Sequence, residues 1–151
     1  MTLRFRYILE GVSHAVVPLG GRWVRPRPVI GVTVVGPSNS RLRMALLDTG
    51  GDDTLFPESL APLLGIDLTS APSGTGKGVG LGPVPLRYAQ VGLRITDGKE
   101  YREWTGWVGF TPAPLRYPIL GFAGCLQFFT ATFHGDREEV ELAVNRLYAG
   151  T

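Results

Sequence analysis

No apolar run in this 151-residue chain goes far before a glycine or a proline interrupts it. The longest, Val29 to Val35, already contains Gly31 and Thr33. A run that short cannot cross a bilayer as a helix. The 21 glycines and 12 prolines are spread along the sequence, so they cut it into short strands joined by turns. The expected class is therefore all-β. The length predicts one domain, residues 1–151, with a modest core and no interdomain linker or repeat.

A net charge of +2 gives little reason to expect a polyanionic partner. Arginines 4, 6, 22, 25, 27, 41 and 43 do face only Glu10 in the first 43 positions. That excess reads either as solvated strand edges or as a nucleic-acid footprint. No aromatic–basic interleaving accompanies it, so no nucleic-acid partner is expected. Cys125 stands alone, which rules out an intrachain disulfide. With His14 and His134 the only histidines, neither a thiolate nor a histidine metal site is expected, and no cofactor is implied. Residues 1–10 make a poor signal peptide, and the reduced lone cysteine fits a cytoplasmic location with no membrane association.

Strand patterns fall at Leu3–Leu9, Val29–Val35 and Arg43–Leu47. Ala89–Thr96 and Tyr101–Phe110 form a hairpin pattern around Asp97-Gly98, and Phe128–Phe133 pairs with Glu139–Val144 around His134-Gly135-Asp136. Helical signals are scarce. Phe56–Gly65 carries an early proline, leucines 60, 63 and 64 at helical spacing and a closing glycine, which predicts one or two turns. A second short helix is expected over Phe122–Leu126. Trp23, Trp104 and Trp107 read as core or interface aromatics.

The most informative stretch is Ala45-Leu46-Leu47-Asp48-Thr49-Gly50-Gly51-Asp52-Asp53-Thr54. A carboxylate follows an apolar strand and precedes two glycines, which places Asp48 where a buried strand ends in a tight turn. Taken alone, Asp-Thr-Gly also fits an aspartate-capped turn. Downstream, glycines 74, 76, 78, 80 and 82 fall at every second position. In an extended arm they would line one side, with Thr75, Lys77, Val79 and Leu81 on the other. Such a bare surface admits another backbone, and a surface loop is the plainer alternative. A phosphate cradle fails, because Gly76-Lys77 is followed by glycine rather than Ser or Thr.

Together these residues resemble the retropepsin-like aspartic proteases, the retroviral enzymes and their cellular and bacterial relatives. The resemblance rests on the apolar lead into Asp48-Thr49-Gly50, the Asp52-Asp53-Thr54 continuation, the second signature Tyr117-Pro118-Ile119-Leu120-Gly121, and Gly78-Val79-Gly80 at the flap tip. It spans residues 29–144. It implies a closed β-barrel or sandwich subunit with one or two short helices and a glycine-rich flap hairpin, and a second signature crossing behind the catalytic loop. It further implies Asp48 as the catalytic group, with Thr49 and Gly50 shaping its loop. Substrate contacts would come from Gly51, Asp52, Asp53, Gly78, Val79, Gly80, Leu81 and Ile119, with Leu47 as a further pocket wall.

That chemistry needs two carboxyls sharing one proton, because like charges about 3 Å apart cannot both ionise. One Asp-Thr-Gly per chain then implies a homodimer with Asp48 beside its own copy on a two-fold axis. The expected activity is endopeptidase cleavage of extended, mostly apolar segments of a peptide or protein. The alternative is a non-catalytic, dimerising peptide-binding module, and metal-dependent hydrolysis through Asp48, Asp52 and Asp53 is a third reading. Two departures stand out. Gly51 lacks the hydroxyl that pepsin-like enzymes commonly have there, which favours activity at mildly acidic pH. Phe122 replaces the arginine that in retroviral enzymes pairs with the first aspartate after the signature, with Arg116 or Arg87 as possible substitutes.

Overall fold

A computed structural model describes residues 2–76 and 82–151. Twelve strands dominate it: β1 (Thr2–Arg6), β2 (Ile8–Val16), β3 (Arg22–Arg27), β4 (Val29–Val35), β5 (Ser40–Leu47), β6 (Leu55–Pro57), β7 (Ser73–Gly76), β8 (Val84–Thr96), β9 (Tyr101–Thr111), β10 (Ile119–Leu120), β11 (Phe129–His134) and β12 (Glu139–Val144). One α-helix, α1 (Leu60–Leu64), follows β6. The chain is all-β in class.

Seven strands make one mixed sheet in the order β4-β5-β10-β6-β9-β8-β7, and β4 also pairs with β8. That extra pairing closes the sheet on itself and leaves β7 as an outer strand. Alternation drives the closure. Ile30, Val32 and Val34 on β4 turn inward, as do Val91, Leu93 and Ile95 on β8. Phe56 and Phe110 are fully buried with ring centroids 6.4 Å apart. Each such side chain contributes about 2 kcal/mol relative to exposure.

A three-stranded sheet, β1-β12-β11, covers one side. Leu3, Phe129, Val140 and Leu142 join it to the same hydrophobic cluster as the closed sheet. Trp104 anchors this junction, edge-on to Phe129 at 5.1 Å, while its indole N–H donates to the Gly124 carbonyl at 2.8 Å. The β2–β3 hairpin forms a third, two-stranded sheet.

Several expectations need correcting. Leu3–Leu9 is not one strand: β1 ends at Arg6, the Tyr7 N–H donates to the Glu138 carbonyl, and Ile8 starts β2 against β3. The short helix expected over Phe122–Leu126 is displaced, and residues 122–125 are not helical. The Leu126 and Gln127 amides reach back five residues, to the Gly121 and Phe122 carbonyls, and Gly124 sits at φ +90°. A wide turn results, followed by one 3-10 turn at Leu126–Phe128. Of the three tryptophans read as core or interface aromatics, Trp104 is in the core, while Trp23 and Trp107 are exposed on the single chain, which does not contradict the interface alternative. The helix expected over Phe56–Gly65 shrinks to α1 because Leu55–Pro57 pairs in parallel with β9. Gly65 ends it as expected, at φ +79°.

Candidate functional site

Asp48 stands one residue beyond the buried end of β5, where Leu47 is 3% exposed. Two neighbours hold the exit. β10 runs parallel to β5, with Ile119 and Leu120 opposite Leu46 and Leu47, and the Asp48 amide donates to the Leu120 carbonyl at 3.1 Å. The turn then closes through the Gly51 amide to the Asp48 carbonyl at 3.1 Å, and the Gly50 amide donates to Asp48 Oδ1 at 2.9 Å. The carboxyl is thus oriented by its own loop, half-buried, with a backbone N–H on one oxygen.

Past β10 the chain laces the loop from behind. The Phe122 amide donates to the Gly51 carbonyl and the Ala123 amide to the Asp52 carbonyl, while the Thr54 amide returns a bond to the Ala123 carbonyl. Gly121 is required by this crossing. A Cβ there would stand 2.2 Å from the Asp53 carbonyl oxygen and 2.8 Å from that of Gly51.

A cavity of about 580 Å³ opens in front of the loop. Asp48, Gly50, Gly51, Asp52, Asp53 and Ile119 line it. Thr49 is exposed and lies outside the lining. Gly78, Val79, Gly80 and Leu81 lie outside the described residues. Leu47, read from sequence as a pocket wall, belongs to the core instead, because its side chain points into the closed sheet.

Thr75 and Gly76 come from the glycine-rich arm, whereas most of the remaining wall was missed by sequence reasoning. Leu55 follows the loop directly. Val84 and Leu86 come from the start of β8, a stretch whose strand pattern is masked by Pro83 and Pro85. Ala113 and Leu115 come from the connection between β9 and β10. The lining is predominantly apolar, with carboxylates confined to the loop side.

The glycine-rich arm is partly visible. β7 pairs antiparallel with β8, Gly74 opposite Leu86 and Gly76 opposite Val84. Thr75 is exposed while Gly74 and Gly76 are half-buried, and both Thr75 and Gly76 line the cavity. A Cβ on Gly74 would lie 2.5 Å from the Tyr88 ring. The bare glycine lets that ring lie flat under the arm, where its hydroxyl donates to Asp53 Oδ2 at 3.3 Å. Burial first, and then the Asp53 charge, push the Tyr88 phenol above its ordinary range.

Neither expected substitute for the missing arginine reaches Asp52. Arg116 pairs with Glu10, and Arg87 bonds the Ala71 carbonyl at 3.3 Å. Phe122 is 60% exposed beside the loop. Among the described residues, no three acidic, histidine or cysteine side chains converge as a metal site would require, so Asp48, Asp52 and Asp53 share a wall without forming such a cluster. Among them also, no helix is long and apolar enough to cross a membrane.

No protein-family model matches the chain, and no curated protein matches it significantly.

Proposed function

We propose that this chain is one subunit of a retropepsin-like aspartic endopeptidase, with Asp48 as its catalytic group. The observation that carries the reading is the placement of Asp48. Its carboxyl is set by a backbone N–H at the mouth of a largely apolar cavity, on a loop fixed from behind by the 119–123 crossing. That is what a proton-sharing acid needs: a fixed position and a weakly polar surround.

A second copy, related by a two-fold axis near Thr49 and Gly50, would bring its Asp48 alongside. Both residues are exposed, and Gly50 has no side chain to obstruct such an approach. In the pair, the ionised carboxyl takes a proton from the attacking water while the protonated one donates to the scissile carbonyl. The cavity's apolar walls favour extended apolar peptide segments. In this reading the β7–β8 arm, which contributes Thr75, Gly76, Val84 and Leu86 to the cavity lining, would serve as the flap, and Asp52 and Asp53 would accept from peptide N–H groups.

The test is Asp48→Asn, assayed on a peptide library beside pepstatin inhibition of the wild type. Asparagine keeps the acceptor for the Gly50 amide, so the fold should survive while turnover falls by about a thousandfold or more. Cleavage that persists in the variant and resists pepstatin would refute the enzyme reading. Peptide binding without any cleavage would leave the non-catalytic module in its place.

A further inference from the structure

The segment joining β9 to β10 has two jobs that pull in opposite directions. Ala113 and Leu115 must face the cavity. The very next residues, Arg116 and Tyr117, are the only polar side chains between Ala113 and Pro118. Both leave the cavity and go to one residue far away in sequence, Glu10 on β2. The Tyr117 hydroxyl donates to Glu10 Oε2 at 2.5 Å, and the Arg116 guanidinium pairs with Glu10 Oε1. Arg27 on β3, the partner strand of β2, adds its Nε at 3.2 Å from Oε2. The Glu10 side chain is only 15% exposed, so the charge-assisted hydrogen bond from Tyr117 is shielded from water, whereas Arg116 and Arg27 contribute as ion pairs without a hydrogen bond and the Arg116 side chain is 65% exposed.

Otherwise the segment is lightly held. The Ala113 amide donates to Thr111 Oγ1 at one end, and the Pro118 carbonyl accepts from the Leu46 amide at the other. Prolines 112, 114 and 118 supply no N–H to fasten it further.

From this we propose that Glu10 is a positioning residue for the cleft. Through Tyr117 and Arg116, the N-terminal β2–β3 hairpin sets where the Leu115 wall stands and so which peptide side chains the cavity accepts. The inference rests on the reading of the cavity as a peptide site, but not on catalysis. Its observable signature is selectivity: the wall contacts bound peptide, whereas Glu10 acts on neither the loop amides nor Asp48.

The test compares Glu10→Gln and Tyr117→Phe with Arg22→Gln. The last cuts the same hairpin's other anchor, the Arg22–Glu138 pair at 2.9 Å, and leaves the cleft wall alone. The three variants and the wild type are assayed against a panel of apolar peptides differing at one side chain at a time. KM and kcat are measured, and so is peptide affinity by calorimetry in the Asp48→Asn background. The proposal expects Glu10→Gln and Tyr117→Phe to change KM and affinity about three- to tenfold, unequally across the panel, the size expected for one lost charge-assisted bond. It expects kcat to hold within about twofold, and Arg22→Gln to leave the ranking of peptides unchanged at whatever cost in melting temperature. Equal shifts in all three variants, or an unchanged ranking in all, would overturn it. A wild type that binds the panel without cutting it would remove the enzyme reading while leaving the affinity ranking to decide on Glu10. A wild type that neither binds nor cuts would overturn both.

Discussion

The two sides of the cavity are built differently. On the Asp48 side the chain is fastened by backbone: amides of Asp48, Phe122, Ala123 and Thr54 all take part in main-chain bonds across the crossing, and Gly121 leaves no room for a side chain. On the facing sides side chains add to the backbone ladder of β7 and β8: Tyr88 links to Asp53 under the arm, and Tyr117 and Arg116 link to Glu10 behind the Leu115 wall. Main-chain lacing cannot be altered by most substitutions, whereas side-chain links can be changed one at a time. A chain built this way keeps Asp48 fixed while its pocket shape is free to vary.

The sharpest way to break that contrast is Gly121→Ala. A Cβ at 2.2 Å from a backbone oxygen has no flexible neighbour to displace. The loss should reach about 3 kcal/mol or more by denaturant titration, at the upper end of overpacking costs. A cost below about 1 kcal/mol would mean the loop is not rigidly laced.

Tyr88→Phe probes the other side and should be far milder. The bond to Asp53 is long at 3.3 Å and partly exposed, so its loss should cost about 0.5–1 kcal/mol of stability. Peptide KM should rise a few-fold with kcat little changed, since Asp53 loses orientation while Asp48 does not. An equal fall in kcat would tie the arm to the reacting group and erase the distinction.

Gly51→Ser offers the smallest and most specific effect. A Cβ there lies 3.5 Å from Asp48 Cγ and 3.1 Å from Ile119 Cγ2, so a hydroxyl can reach the carboxyl once Ile119 gives slightly. A donor favours the charged form of a carboxylate. The acid limb of the activity profile should therefore move to lower pH, by up to about one unit. A profile that stays in place, or moves towards neutral, would count against a shared-proton pair.

What could be read from sequence followed the strength of local signals. Val29–Val35 matches β4 at both ends, and from Ile30 onward its buried residues fall at every second position. The β8–β9 hairpin was visible from Asp97-Gly98. Asp97 accepts the Lys99 and Glu100 amides and also the Arg4 amide of β1, so it holds the turn and a neighbouring sheet together. Although burial alone would push its carboxyl up, those amides hold it below its usual range. β6 and β10 have three and two residues, too few to show any period, and exist because the closing sheet supplies partners on both sides. The β2–β3 hairpin was illegible for another reason. Over residues 8–12 the half-buried positions of β2 are Ile8, Glu10 and Val12, while Leu9 and Trp23 are exposed, so apolar residues do not track the alternation.

The candidate site divides the same way. Asp48 and its loop are contiguous in sequence and could be picked out from ten residues. Leu86 and Leu115, which line the cavity, and Glu10, which pairs with Arg116 and Tyr117 outside it, could not, because long-range pairing rather than any local pattern brings them together.

The central claim is that cleavage requires two copies meeting at Asp48, and specific activity measured against protein concentration tests it most directly. An obligate pair should lose activity per milligram on dilution, in step with a fall in sedimentation mass from two chains to one. Activity per milligram that stays constant well into the range where only single chains sediment would contradict it.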